Sequence, residues 1–299
     1  MSFEDTFKSW ASPPSQTEQE KCDNAARQIS TAIRSSSKLS EYDITVFPQG
    51  SYRNRTNVRR ESDVDICVLC TNVCFADYQF GEGLTDKDIG LSDHPYTYTM
   101  FKNDAHAALN DYFGASNVQR GNKAFDIHEN SYRVDADVVA CFEHRRYMRT
   151  VNGGHRYESG TEFRPDNGGS VINWPNQNYD NGVTKNKNTS KGFKAGVRIL
   201  KRLRNTLEDN GYEAASPIPS YLLECLAWNV PDVGFHNQTY TADVRYILTH
   251  LINSTISKEN CDEWGEINEL KYLFRGSPPW TVEQVHKFVV AAWDYIGFK

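Results

Sequence analysis

Two aspartates, Asp63 and Asp65, open an apolar run in the stretch FPQGSYRNRTNVRRESDVDICVLC, residues 47–70. No other feature constrains the chain as much. DVDICVLC is β-rich and apolar enough for a buried strand. On a strand, residues two apart project from the same face. Side-by-side carboxylates repel and resist joint ionisation, so the pair becomes favourable when a divalent cation sits between them. Oxygen ligands in a site that also admits phosphate point to Mg²⁺ or Mn²⁺. About a dozen residues earlier come Gly50 and Ser51. Glycine lets backbone approach a ligand closely, and amides at a turn or helix start, with a serine hydroxyl, donate to anions. A phosphate cradle beside a dicarboxylate is what a metal-bound nucleoside triphosphate requires.

A third carboxylate is expected on a neighbouring strand. KAFDIHENSYRVDADVVACF reads as a hairpin turning near Glu129 and Asn130. Its second strand puts Tyr132, Val134, Ala136, Val138, Ala140 and Phe142 on one face and Arg133, Asp135 and Asp137 on the other. With Asp63 and Asp65 this builds a two-metal site for phosphoryl transfer. A lone Asp-x-Asp is often only a pair of solvated side chains; here turn, pair and acidic strand occur in order. Arg53, Arg55, Arg59 and Arg60 are either surface charge or guanidinium contacts to phosphate.

The 299 residues suit one large or two modest domains. A net charge of −6 argues against broad coating of nucleic acid or anionic membrane. No apolar run approaches the roughly 18 residues that span a bilayer, and the N-terminus lacks a signal-peptide core, so a cytoplasmic location is expected. Seven irregularly spaced cysteines do not form a disulfide framework. Cys67, Cys70 and Cys74 are poorly placed to share a metal.

The pattern predicts a helix over 15–35 with a Ser15/Glu18 capping box and a short strand over 42–48. It predicts loop over 72–95 and a helix over 95–113. Residues 152–190, rich in Gly, Asn and Thr, read as an ordered hairpin and binding loop. There Asn173, Trp174, Asn176, Asn178 and Tyr179 are candidates for base selection. Helices are expected over 191–210, 219–229, 241–254, 263–274 and 281–296. The plan is α+β: a catalytic core over 1–189 and a helical domain over 190–299.

These residues resemble the nucleotidyltransferase superfamily that includes DNA polymerase β. More closely, they resemble the bacterial cGAS/DncV-like nucleotidyltransferases, or CD-NTases, which make cyclic di- and trinucleotide signals. FPQGSYRNRTNVRRESDVDICV is similar to that family's opening motif, and VDADVVACF to its third-aspartate strand. TKNKNTSKGFKAGVRILKRLRN followed by SPIPSYLLECLAWNV is similar to its helical half. The resemblance implies a bilobed protein: a mixed-sheet core with flanking helices and an oligoadenylate synthetase-like helical domain, with the active site in the cleft. It implies Asp63, Asp65 and Asp137 as catalytic metal ligands for two ions; alanine at 140, where the family has proline, keeps Asp135 as a lesser candidate. Gly50 and Ser51 match the triphosphate cradle, Lys201 the lysine that reaches the donor triphosphate and Ser220 a phosphate-binding serine; Tyr221 is a candidate to stack on a base. Lys194, Arg198 and Lys201 form one basic stripe, for which a solvated helix face is the bland alternative.

The implied function is condensation of nucleoside triphosphates (ATP, GTP or a pyrimidine triphosphate) into a cyclic oligonucleotide. The protein would be a monomer in antiphage signalling, its product acting on a separate effector protein, with no nucleic-acid activator evident. Two alternatives stay open. One is a synthase of linear oligonucleotides, or a transferase acting on RNA, protein or a small molecule; the other is a non-catalytic nucleotide sensor.

Overall fold

The computed structural model describes residues 2–58 and 63–299, so Arg59 and Arg60 lie outside the described residues. The first half of the chain forms α1 (Phe3–Ala11), α2 (Gln16–Arg34), β1 (Ile44–Pro48), α3 (Gly50–Asn54), β2 (Val64–Phe80), α4 (Tyr98–Phe113), β3 (Val118–Arg120), β4 (Phe125–Ile127) and β5 (Ala136–Arg149). Then come β6 (His155–Phe163), β7 (Val171–Asn173), α5 (Pro175–Asn188), α6 (Gly192–Asp209), α7 (Ser220–Trp228), α8 (Tyr240–Ser254) and α9 (Val282–Ile296). No described helix is long and apolar enough to cross a membrane.

The chain forms two compact units. One holds residues 15–52 and 63–175; the other holds 2–14, 53–58 and 176–299. The division at residue 189 expected from the sequence places α1, α5 and the 53–58 segment with the sheet, whereas each packs in the helical unit.

In the sheet unit the strand order is β1-β2-β5-β4-β3, with β6 on β5 and β7 on β6. β2 and β5 are parallel, and the other pairs are antiparallel. α2 starts at the expected capping box, with Ser15 and Glu18 satisfying each other's backbone N–H groups. Its Ala25, Ile29 and Ile33 enter the core with Phe101, Ala105 and Leu109 of α4. β5 is buried on both faces from Val138 to Phe142, as a central strand beside a parallel neighbour should be. The strand expected from Tyr132 begins only at Ala136, and Tyr132 is 53% exposed. β2 runs on to Phe80 through residues expected as loop, because β5 keeps pairing with it past an irregularity between Cys70 and Cys74.

The helical unit is built on α6. Phe193, Val197, Leu200, Leu203 and Leu207 form its apolar stripe, as the 3.6-residue spacing predicts, and all are buried. Phe7 and Ala11 of α1 join that core. Glu4 accepts the N–H groups of Tyr240 and Thr241 at the start of α8. Residues 175–188, expected as binding loop, are helix α5. The helix expected over 263–274 is instead a turn closed by a bridge between Gly265 and Tyr272, with Ile267 and Leu273 as separate core anchors.

Trp174 shows how tightly the sheet unit is packed. It is 2% exposed and meets the His144 ring edge-on. A methyl group on Gly160 would lie 2.6 Å from the Asn173 carbonyl oxygen and 2.7 Å from the Trp174 ring. Gly160→Ala is therefore expected to destabilise the fold by about 1–3 kcal/mol, the usual range for overpacking, measurable as a lower urea midpoint with unchanged slope.

Candidate active site

β1 ends at Pro48, and the chain turns through Gly50 into α3. Gly50 has φ +63°, a conformation that costs glycine little. The Gln49 N–H donates to the Asp65 carbonyl at 2.8 Å, so the turn hangs on the strand that carries Asp65. A methyl group on Gly50 would lie 2.2 Å from Asp65 Oδ2. The glycine is thus required twice, by its backbone angle and by the carboxylate against it.

Asp65 stands opposite Asp137 across the β2/β5 pair, and Asp137 stands opposite Asp126 across the β5/β4 pair. Opposed residues in a sheet share a face, so three adjacent strands bring carboxylates together. Asp63, just before β2, adds its charge. Burial first, then the charge of Asp126, then that of Asp63, push the Asp137 carboxyl up to about 6; Asp126 also shares a hydrogen bond with it. Asp135 lies before β5 and accepts the Glu129 N–H at 2.6 Å.

Among the described residues, no three His, Cys, Asp or Glu side chains are gathered tightly enough to hold an ion as they stand. The donor set nevertheless fits a hard divalent cation. Its donors are all carboxylate oxygens, crowded enough to push the Asp137 carboxyl up to about 6, and such excess negative charge suits a hard divalent cation.

The helical unit places the other expected residues. Ser220 opens α7, partly exposed, and its Oγ accepts from Arg204 Nη2 at 2.9 Å. Tyr221 packs on the helical core, and its hydroxyl lies 3.0 Å from Glu266 and 3.3 Å from Asn178, so burial and Glu266 raise its pKa well above the usual value. Lys201 is 0% exposed, its Nζ 3.0 Å from Glu224 Oε1. Lys194 and Arg198 are buried too, so the basic stripe is not a solvated face.

Comparison with known proteins agrees with this architecture. The family model of the cGAS/DncV-like nucleotidyltransferase C-terminal helical domain matches residues 180–297. The chain is 49% identical to a cyclic dipyrimidine nucleotide synthase CdnE of Legionella pneumophila, over 99% of this chain and 98% of that one. It is 40% identical to a second such synthase, from Cecembia lonarensis, over 99% and 98%. The solved structure of the Rhodothermus marinus CdnE c-UMP-AMP synthase with Apcpp and Upnpp superposes with a TM-score of 0.82 at 29% identity, covering 98% of this chain and 95% of that one.

The chain belongs to the cGAS/DncV-like nucleotidyltransferases. It is a nucleotidyltransferase of the cyclic-nucleotide-synthase kind. Within this CD-NTase, Asp126 is the residue the sequence reading passed over. The alternation of FDIH, with Phe125 and Ile127 buried and Asp126 between them, was the available signal.

Of the base-selection candidates, Trp174 is packed into the sheet unit and Asn178 is buried against Tyr221. Asn176 accepts from Arg53, and Arg53 and Lys194 both lie over the Tyr179 ring, 4.9 Å and 5.7 Å from its centre. These contacts leave Asn173, partly exposed on β7, as the candidate least engaged with the protein.

Two outcomes are expected. Gly50→Ala should cut the transfer rate about 100-fold, the scale of a misplacement near 1 Å, and should also destabilise the fold by about 1–2 kcal/mol, the cost of a left-handed non-glycine residue; rate assays corrected for the folded fraction, with thermal melts, check this. Asp137→Asn should abolish activity yet raise the melting temperature of metal-free protein at pH 7.5, by about 1–2 kcal/mol of stability. Because the folded-state pKa of Asp137 is raised, its ionised form weighs against the fold above pH 6, and that penalty fades towards pH 4. The gain from the variant should fade over the same window.

Proposed function

We propose that this CD-NTase joins two pyrimidine nucleoside triphosphates into a cyclic dinucleotide, releasing pyrophosphate in each of two transfers. The near-full-length 49% identity to the Legionella cyclic dipyrimidine nucleotide synthase carries this reading, and the Cecembia synthase points the same way. The crowded acidic site of the sheet unit is suited to the chemistry.

In this reading Asp63, Asp65 and Asp137 hold two divalent cations, Mg²⁺ or Mn²⁺. When bound, these ions neutralise the phosphates and lower the pKa of the attacking hydroxyl. Gly50 and Ser51 cradle the donor triphosphate with backbone amides and a hydroxyl. A ribose hydroxyl of the acceptor nucleotide attacks the donor α-phosphorus. A new P–O bond forms as the α–β bond breaks, pyrophosphate leaves with the electron pair, and the hydroxyl proton passes to water or a nearby carboxylate oxygen. The linear intermediate then turns in the pocket, and a second attack of the same kind closes the ring. Asp126 keeps Asp137 aimed through their shared hydrogen bond.

From the helical unit, Ser220 and Tyr221 are proposed nucleotide contacts. For Lys201, full burial against Glu224 favours a supporting role. We take the protein to act in the cytoplasm, as its sequence suggests. We take the enzyme to work as a monomer whose product activates a separate effector in antiphage defence.

Incubation with the four radiolabelled triphosphates and Mg²⁺ or Mn²⁺, then phosphatase and chromatography, tests the reading. A phosphatase-resistant product built only of pyrimidines is expected. A resistant product containing a purine would correct the base assignment. A phosphatase-sensitive ladder would mean a linear synthase. No pyrophosphate release under any condition would leave the sensor reading.

A further inference from the structure

The segment 53–58 joins the phosphate turn to the stretch before Asp63, yet it packs in the helical unit. It is irregular beyond Asn54, and its Thr56, Asn57 and Val58 are buried. Irregular backbone is usually a surface feature, so burial here needs specific partners, and the structure supplies them. Arg53 donates to Asn176 Oδ1 at 2.9 Å and lies over the Tyr179 ring. Arg55 takes a left-handed φ of +56°, and its carbonyl accepts from Arg198 Nη1 at 2.7 Å, while Arg198 Nε donates to the Ala11 carbonyl. Thr56 Oγ1 donates to Glu224 Oε1 at 2.8 Å, the same oxygen that lies 3.0 Å from Lys201 Nζ. A left-handed non-glycine residue persists only where its surroundings over-determine it; here it stands beside a buried ion pair.

Glu224 is the centre of this arrangement. It is 3% exposed, one helical turn after Ser220 on α7. Its charge also favours the ionised form of Lys194, against burial and the nearby Arg55 and Arg198. A buried ion pair is seldom more stable than apolar side chains of similar volume, and α6 packs apolar residues along the rest of that contact. Stability alone would be served as well by leucine and methionine. A charged pair that also receives the Thr56 hydroxyl does what they cannot, which is to fix one irregular segment in one place.

We propose that Glu224, Lys201 and Thr56 form a buried clamp whose role is to position the linker between the phosphate turn and the metal-binding aspartates. They act as positioning residues for nucleotidyl transfer, a role that rests on the reading of Ser51, Asp63 and Asp65 as the transferase site. Lys201 keeps Glu224 aimed, Glu224 holds Thr56, and Thr56 holds the chain two residues after α3 ends. Loosening the clamp leaves the phosphate contacts in place and blurs the alignment on which the chemical step depends.

Steady-state and single-turnover pyrophosphate release test this on the full chain, with melting temperature followed in parallel. Thr56→Val and Glu224→Gln are expected to lower kcat 10- to 100-fold with KM within about threefold, and Thr56→Ser to retain nearly all of kcat. The double variant Lys201→Met with Glu224→Leu guards against a variant that fails to fold. It should melt at or above the native temperature and still lose kcat, because Thr56 has lost the Glu224 carboxylate. Full kcat in that double variant, or falls in kcat that merely track the folded fraction, would overturn the clamp. Asp65→Asn is the control on the site. If it abolishes release while Thr56→Val does nothing, the clamp alone is wrong; if it leaves release intact, the site reading fails and the clamp falls with it.

Discussion

Everything at the candidate site depends on carboxylates being forced into register. Asp65, Asp137 and Asp126 sit on three neighbouring strands at paired positions, so backbone hydrogen bonding holds them together against their repulsion. The apolar core just beyond them supplies the force. Ile66, Val68, Val138 and Ala140 are all buried, and slipping either strand by one residue would turn Asp65 or Asp137 towards that apolar face. Hydrophobic burial therefore maintains an arrangement that electrostatics disfavours. The raised pKa of Asp137 is the visible residue of that contest, and trading stability for a reactive site is how active sites commonly differ from the rest of a fold.

Much of this was legible in the sequence for the same reason. Alternation of apolar and polar residues marked the strand faces, and the face decided which acids could meet. Gly50 was readable as a close-approach residue, although what approaches it is Asp65, a detail no local pattern carries. Ser15 with Glu18 announced α2, and the apolar spacing of α6 announced its buried side. Asp126 was passed over because β4 is only three residues long, too short for its alternation to stand out.

The misread elements share a cause, which is tertiary contact overriding local propensity. α5 is rich in Asn and carries Gly182, both poor helix formers. It is held by Lys185, whose ammonium reaches the Val230 carbonyl at 2.8 Å and Asp232 at 2.7 Å among the rings of Phe193, Trp228 and Phe235. Asn181 adds a bond to the Ile267 carbonyl. Residues 263–274 fail in the opposite direction. Their apolar side chains fall at helical spacing, but each anchors separately, with Asn229 holding both backbone groups of Gly265. Chain order was an equally poor guide to the units, since α1 and the 53–58 segment join a core made mostly by residues after 176.

The formal charge of −6 conceals how the charges are distributed. The sheet unit concentrates acids at one place. The helical unit buries Lys185, Lys194, Arg198 and Lys201, although burying an ion costs several kcal/mol unless it is paired or hydrogen-bonded. Arg198 is met by two carbonyl oxygens and Lys185 by a carbonyl and a carboxylate. For both Lys194 and Arg198, burial pulls the pKa down, and neighbouring guanidinium charge adds to the effect. Such a load is explained when it fixes backbone that hydrophobic packing cannot index, because an apolar side chain tolerates sliding and a directional hydrogen bond does not. The buried cations and the crowded acids are thus two uses of one device, in which charge is placed where it is costly so that geometry cannot drift.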